Sequence, residues 1–327
     1  LSKYIAFEVN QTENIFSRGL TTKERIPLAT DAVEIRVHYS GVNYKDALAT
    51  TKNGGVIRSY PMIPGIDLAG EIVTSKDENF PVGKKVLVTG YGLGVTHVGG
   101  YSQYQQVPTN WLVEIPETLD EKKAMTFGTA GFTAALAVLA LEEKGYEKEA
   151  AIFVTGASGG VGSIAIALLH NLGYTNITAV SRKEAAWLTD IGATNIVTPE
   201  QIIPEKIKPL AKQSVHAVID TVGGSLLSAL LPQLQYNGSA FLCGNAGGIQ
   251  LETTVLPFIL RGISVIGIDS VATPTEQRKA VWDFLTQQQN ILANLKVNEV
   301  LLSDLDLIFD TLLSGQHEGR TIVKMEV

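Results

Sequence analysis

The chain has one cysteine, Cys243. A single thiol forbids an intramolecular disulfide and every metal site built from several cysteines, and it fits a reducing, cytoplasmic setting. Charged residues make up only 18% of the sequence, the formal net charge is −7, and no compensating cluster of Lys and Arg appears. Such a surface argues against a nucleic-acid or anionic-membrane partner and for a small-molecule substrate. Long hydrophobic runs are missing as well. The longest, Ala134 to Leu141, falls far short of the roughly 20 residues a membrane span needs. The first residues show no basic segment leading into an apolar one, so neither a membrane helix nor a secretory signal is expected. The five histidines, His38, His97, His170, His216 and His317, have no ligand spacing.

What is present is core. With 327 residues and 45% hydrophobic content the chain can build two domains. Its most informative stretch runs from Ala150 to Gly173, where a short apolar run (Ala151 to Val154) meets Thr-Gly-Ala-Ser-Gly-Gly-Val-Gly and then Val161, Ile164, Leu168 and Leu169 recur at helical spacing. The pattern reads as a buried strand, a glycine-rich turn and an apolar helix closed by Gly173. Such a turn cradles a pyrophosphate: Gly159 permits close main-chain approach, Gly162 lets the helix pack on the strand, and the helix N-terminus offers free N–H groups. Ser158, Gly159, Gly160 and Val161 are the expected contacts, with Ala157 standing where the usual fingerprint has its first glycine.

The following strand, Asn176 to Val180, ends in Ser181-Arg182-Lys183. An NAD-specific site places a carboxylate there against the ribose 2′-hydroxyl. A small hydroxyl and a guanidinium instead suit a 2′-phosphate, so Ser181 and Arg182 point to NADP(H). The alternative is a solvated basic turn in which Glu184 supplies the acid.

Residues Tyr4 to about Pro116 break into short β-like pieces, among them Ala32 to Tyr39, Ala69 to Thr74 and Lys85 to Thr89. Beyond Asp120 strands and helices alternate, with strands expected at 151–155, 176–180, 195–198, 215–219, 239–243 and 263–268, the six of a full doubly wound dinucleotide-binding sheet. A helix is expected from Lys122 to Leu141 and another from Glu276 to Gln289. The alternating Arg320 to Lys324 has no place left in that sheet and is expected to return to the first domain. The reading is an α/β protein with a β-rich domain of residues 1–121 and 295–327 and a nucleotide domain of residues 122–294.

Several motifs in order carry a resemblance over essentially the whole chain: Gly41-Val-Asn-Tyr-Lys-Asp-Ala-Leu48, Pro61-Met-Ile-Pro-Gly-Ile-Asp67, Gly128-Thr-Ala-Gly-Phe-Thr-Ala134, Val154 to Gly162, Asp220-Thr-Val-Gly223, Pro257-Phe-Ile-Leu-Arg261, Gly267-Ile-Asp-Ser270 and Gly319-Arg-Thr-Ile-Val-Lys324. The chain resembles the medium-chain dehydrogenase/reductase superfamily and, within it, the zinc-free quinone-oxidoreductase-like branch YhdH/YhfP, which includes acrylyl-CoA reductase. The resemblance implies a Rossmann domain joined to a GroES-like catalytic domain, and a homodimer made by pairing the strands around Ile263 to Ile268. Zinc relatives need a cysteine in the first motif and a histidine in the second. Asn43 and Ile66 stand there, so no metal is expected.

Without a metal, hydrogen bonds must polarise the substrate and a side chain or water must supply the proton. The resemblance places Tyr44 at the cofactor and substrate pocket as the leading candidate. Asn43 would orient the substrate or the carboxamide, and Asp46 would tune Tyr44 or fix its loop, with a purely structural cap as the alternative for Asp46. Asp67 either lies where zinc relatives carry a glutamate beside the metal or pairs with Arg320. Thr129, Gly244, Asn245, Asp269, Ser270 and Arg320 are further cofactor contacts implied by the resemblance. The implied reaction moves a hydride from NADPH to the β-carbon of an electron-poor double bond, in an α,β-unsaturated acyl-CoA such as acryloyl-CoA. The alternatives are an NADPH:quinone oxidoreductase and an NADPH-binding structural or sensing protein.

Overall fold

Packing divides the chain into two units in a computed structural model that describes residues 2–13, 15–183 and 185–326. One unit comprises Leu1–Thr129, Val271–Gln289 and Lys296–Val327, the other Ala130–Ser270 and Asn290–Leu295.

Strands β1 (Lys3–Gln11) and β2 (Phe16–Glu24) form a two-stranded antiparallel sheet, and β3 (Ala32–Val42) begins a larger one. Its β-branched residues Val33, Ile35 and Val37 alternate into a core that excludes water. A short helix α1 (Tyr44–Ala49) follows, then β4 (Asp67–Thr74), β5 (Lys85–Thr89), β6 (Tyr104–Pro108) and β7 (Val113–Glu114). Helix α2 (Glu121–Glu142) is two helices meeting at Gly128, whose φ of 50° and ψ of −154° are not helical. Among the described residues it is the one helix long and apolar enough to cross a membrane, and 78% of its most apolar stretch is buried inside the protein.

The second unit is the alternating one. It contains β8 (Ile152–Thr155), α3 (Gly160–Asn171), β9 (Ile177–Val180), β10 (Asn195–Val197), α4 (Pro199–Ile202), β11 (Val215–Asp220), α5 (Gly224–Leu230), β12 (Leu234–Leu242), α6 (Leu256–Arg261) and β13 (Ser264–Gly267). The six strands are all parallel in the order β10-β9-β8-β11-β12-β13, the doubly wound arrangement with its first strand at the centre. Val154, Ile177, Val180, Val218 and Ile219 are almost wholly buried, as strands covered on both faces require.

The tail supplies α7 (Thr275–Gln287), β14 (Val297–Val300), α8 (Leu305–Leu313) and β15 (Arg320–Lys324). Strand β15 pairs antiparallel with β3, and β14 extends that sheet by pairing parallel with β15. Helix α7 falls within the expected nucleotide range of 122–294, yet it packs with the first unit. The reason is Arg278, fully buried, whose Nη1 donates to the Thr89 carbonyl (2.8 Å) and hydroxyl (3.0 Å) and whose guanidinium sits 4.4 Å from the Tyr91 ring centre.

Candidate active site

The end of β3, the start of β4 and the N-terminus of α1 converge on a buried polar group in the first unit. Asn43 caps α1, which makes Tyr44 its first helical residue. Asp46, in the third helical position, reaches back in a capping box: Oδ2 accepts from the Asn43 main-chain N–H (2.9 Å) and Nδ2 (3.1 Å), while Oδ1 accepts from the Ile66 N–H (2.9 Å). Asn43 Nδ2 also donates to Asp67 Oδ2 (2.8 Å), so one amide bridges two carboxyl groups, each 0% exposed. Thr129 completes Asp67, its N–H donating to both oxygens at 3.1 Å and its hydroxyl to Oδ1.

Arg320 enters from β15 at 2% exposure, and each of its three nitrogens donates to the protein: Nε to Thr126 O (2.9 Å), Nη1 to Val42 O (2.9 Å) and Asn43 Oδ1 (3.4 Å), Nη2 to Met125 O (3.2 Å). Burial pushes its pKa down while Asp67, Tyr101 and Asp46 pull it up through their charge or polarity. Asp67 and Arg320 pass between two glycines with no room to spare. A Cβ built on Gly41 would lie 2.5 Å from Asp67 Oδ2 and 3.0 Å from Arg320 Nη2, and one on Gly128 would lie 2.6 Å and 2.9 Å from the same atoms.

In the second unit the cradle is made of close approach. Helix α3 starts at Gly160 after Gly159 in an extended conformation, leaving the first N–H groups of the helix without main-chain partners inside it. A Cβ on Gly162 would lie 2.5 Å from the Gly156 carbonyl oxygen and 2.8 Å from Ala157 Cα, so only glycine allows α3 this close to the end of β8. The residue with positive φ in the turn is Gly156, at +60°, one place before the fully buried Ala157. Asp220 locks the neighbouring strand end: it accepts from Thr155 Oγ1 (2.6 Å) and the Gly223 N–H (2.8 Å), and burial raises its pKa. At the tip of β9, Ser181 Oγ accepts from the Lys183 N–H (3.2 Å), closing a tight turn that leaves Arg182 exposed. Glu184, the alternative acid, lies outside the described residues. This donor set, a helix N-terminus followed by an exposed guanidinium after the next strand, fits a phosphorylated dinucleotide.

Three expected site residues are tied into this buried group. Asn43 has its amide engaged by Asp46, Asp67 and Arg320. Asp46 is fully buried and holds the main chain at Asn43 and Ile66. Arg320 is buried, and its guanidinium donates to three main-chain carbonyls and to Asn43 Oδ1. Tyr44, in contrast, is 41% exposed beside this group. Gly244, Asn245 and Asp269 are exposed, and Ser270 is half-buried, on the loops after β12 and β13. Tyr101 was invisible in the sequence. It is 0% exposed, donates to the Gly41 carbonyl (3.2 Å), and has its pKa raised by burial and by Asp46. Cys243 is a free thiol whose pKa burial pushes up to about 12.

Two family models match the chain. Residues 29–117 match the alcohol dehydrogenase GroES-like domain and residues 160–287 the zinc-binding dehydrogenase family. The “Probable acrylyl-CoA reductase AcuI” of Escherichia coli is 45% identical over 94% of this chain and 95% of its own length. YhfP of Bacillus subtilis, provisionally named a quinone oxidoreductase, is 43% identical over 91% of this chain and 92% of its own. Its crystal structure with NAD bound superimposes with a TM-score of 0.94 at 41% identity, covering 99% of this chain and 100% of that one. The yhdH oxidoreductase of Salmonella enterica in complex with NADP gives a TM-score of 0.93 at 42% identity, covering 98% and 100%.

Proposed function

Because this chain belongs to the YhdH/AcuI branch of the medium-chain dehydrogenase/reductase superfamily, we propose that it is an NADPH-dependent reductase acting on the activated C=C bond of an α,β-unsaturated acyl-CoA such as acryloyl-CoA. The observation that carries the reading is the pairing of this kinship with a glycine cradle followed by an exposed Arg182 and no carboxylate at the strand tip. Ser158, Gly159, Gly160 and Val161 would hold the pyrophosphate, Ser181 and Arg182 the 2′-phosphate, and Gly244, Asn245, Asp269 and Ser270 the nicotinamide end. When bound, the cofactor supplies the hydride. The zinc ligand positions of the superfamily hold an amide and an aliphatic side chain, Asn43 and Ile66, so activation falls to hydrogen bonds.

Tyr44 is the residue assigned to that work. Its phenol can donate to the carbonyl oxygen on which charge grows as the β-carbon accepts hydride, and the α-carbon is then protonated. The polar group behind it fixes the helix end on which it sits. Tyr44→Phe is expected to lower kcat about 100-fold while NADPH affinity stays the same. Unchanged turnover would remove Tyr44 from the chemistry.

The quinone reading is favoured by one observation, the kinship to YhfP. Steady-state NADPH consumption with acryloyl-CoA, a small enone and a benzoquinone separates the two. The highest kcat/KM is expected with acryloyl-CoA; preference for benzoquinone would transfer the assignment. Binding of NADPH with no acceptor reduced would leave a cofactor-loaded sensing protein.

The proposal includes a cytoplasmic homodimer. Strand β13 is the edge of its sheet, and Ile249, Val255, Ile259 and Leu260 are exposed on the segments leading to it, an apolar surface that a second copy would cover. Sedimentation of wild type and Ile259→Asp tests this point.

A further inference from the structure

Titratable and charged groups reach Asp46 from several elements. Asp67 faces it from β4, Tyr101 from the loop before β6 and Arg320 from β15. Its own helix adds Lys45. At the far end of α1, β2 and α8 place Arg18 with Asp306 and Asp310, where Arg18 Nη1 donates to Thr50 Oγ1 (3.0 Å). The interior thus holds two carboxyl groups against one guanidinium. With both carboxyls ionised, one negative charge is left uncompensated at 0% exposure, which is strongly unfavourable.

The geometry has a place for one proton. Tyr101 Oη lies within hydrogen-bonding reach of the Asp46 carboxyl and donates to the Gly41 carbonyl (3.2 Å). A protonated Asp46 can donate to Tyr101 Oη, the hydroxyl keeps Gly41, and the remaining lone pairs still receive Asn43 and Ile66. Loss of the proton turns the Tyr101 hydroxyl toward the carboxylate, deprives Gly41 of its donor, and leaves Asn43 Nδ2 as the bridge between two anions.

We propose that Asp46 is a positioning residue whose carboxyl holds the one proton this buried group needs, and that the proton keeps Asn43 and the first turn of α1, with Tyr44 on it, in the arrangement that serves reduction. Burial, and then the charge of Asp67, raise the Asp46 pKa from 3.8 to about 7. Because the folded value is the higher one, the stability this group contributes is full below the unfolded pKa. It is drawn down as pH rises from about 4 to about 7 and stays lost above.

Thermal melts from about pH 5 to about pH 8.5, without substrate, on wild type, Asp46→Asn and Tyr101→Phe test this. Asparagine cannot titrate, yet it offers Tyr101 a donor. The Tm difference between Asp46→Asn and wild type is expected to climb in favour of the variant up to about pH 7 and to level off above. A difference constant over that range, as an always-ionised helix cap gives, overturns the proposal. Should Asp46→Asn fail to fold, Tyr101→Phe decides: without the hydroxyl the pH-dependent part of the melt is expected to move to lower pH, and a profile superimposable on wild type overturns the proposal.

The functional half rests on the reductase reading. There kcat with acryloyl-CoA is expected to fall about threefold more steeply for wild type than for Asp46→Asn between about pH 6 and about pH 8.5. Parallel profiles would overturn the link to Tyr44. Absence of turnover with every acceptor would count against the reductase reading alone, because the melts need no substrate.

Discussion

Around α3 the chain is shaped by atoms that are missing, whereas around α1 it is shaped by charges that should not be buried. Gly162 works because a single methyl group would meet the Gly156 carbonyl, so the constraint is local, steric and carried by one residue type. Asp46, Asp67 and Arg320 work only together, and Arg320 bonds to Asn43 across 277 positions of sequence. The difference teaches that a phosphate cradle is specified within a few residues. A buried group of charged and polar side chains must be assembled from distant segments, each of which alone would be unstable in the interior.

The largest expected effect comes from removing the one cation of that group. Arg320→Met keeps much of the volume but leaves three carbonyls without a donor and two carboxyl groups without a counter-charge. Breaking a buried charge group from one side destabilises by about 3–5 kcal/mol. Urea unfolding with an unchanged m-value is the check. A loss under about 1 kcal/mol would mean that the arginine is replaceable packing and that the contrast between the two regions is false.

Next in size is Gly162→Ala. Alanine gains up to about 1 kcal/mol of helix propensity over glycine, but the atoms it meets are main chain, which cannot swing aside. The clash is expected to win by about 1–2 kcal/mol and to lower NADPH affinity roughly tenfold, because α3 must move its N-terminus. Isothermal titration of NADPH measures the second effect. Affinity equal to wild type would show that the cradle tolerates a displaced helix.

The same contrast explains what the sequence revealed. All six strands of the nucleotide sheet were legible because each is a short apolar run between turn residues. Only β12 starts earlier than expected, at Leu234 rather than 239, since Gln235, Tyr236 and Asn237 give it no apolar signal. Strand β14, Val-Asn-Glu-Val and mostly exposed, carried no pattern at all and exists because β15 offers it an edge. The identity of the residues near Tyr44 was legible from motifs, but their roles were not. The motifs did not show that the Asn43 amide lies between two carboxyl groups or that the Arg320 guanidinium meets main-chain carbonyls. Tyr101 has no local signature, because its role depends on β3 and α1 meeting the loop before β6. The packing of α7 was hidden for the same reason: nothing around Arg278 announces Thr89 as its partner.

The smallest effect is the sharpest for the cofactor assignment. Arg182 is exposed, so Arg182→Ala should leave stability within about 0.5 kcal/mol of wild type. Its guanidinium would pair with a 2′-phosphate through charge-assisted hydrogen bonds that water partly screens, which makes it worth about 1–2 kcal/mol, or roughly tenfold in affinity. NADPH should therefore bind about tenfold more weakly to the variant while NADH binding is unaffected, and the gap should narrow as salt is raised. Equal weakening of both dinucleotides would place Arg182 on some shared part of the cofactor, and unchanged NADPH affinity would reduce the basic turn to a solvated loop.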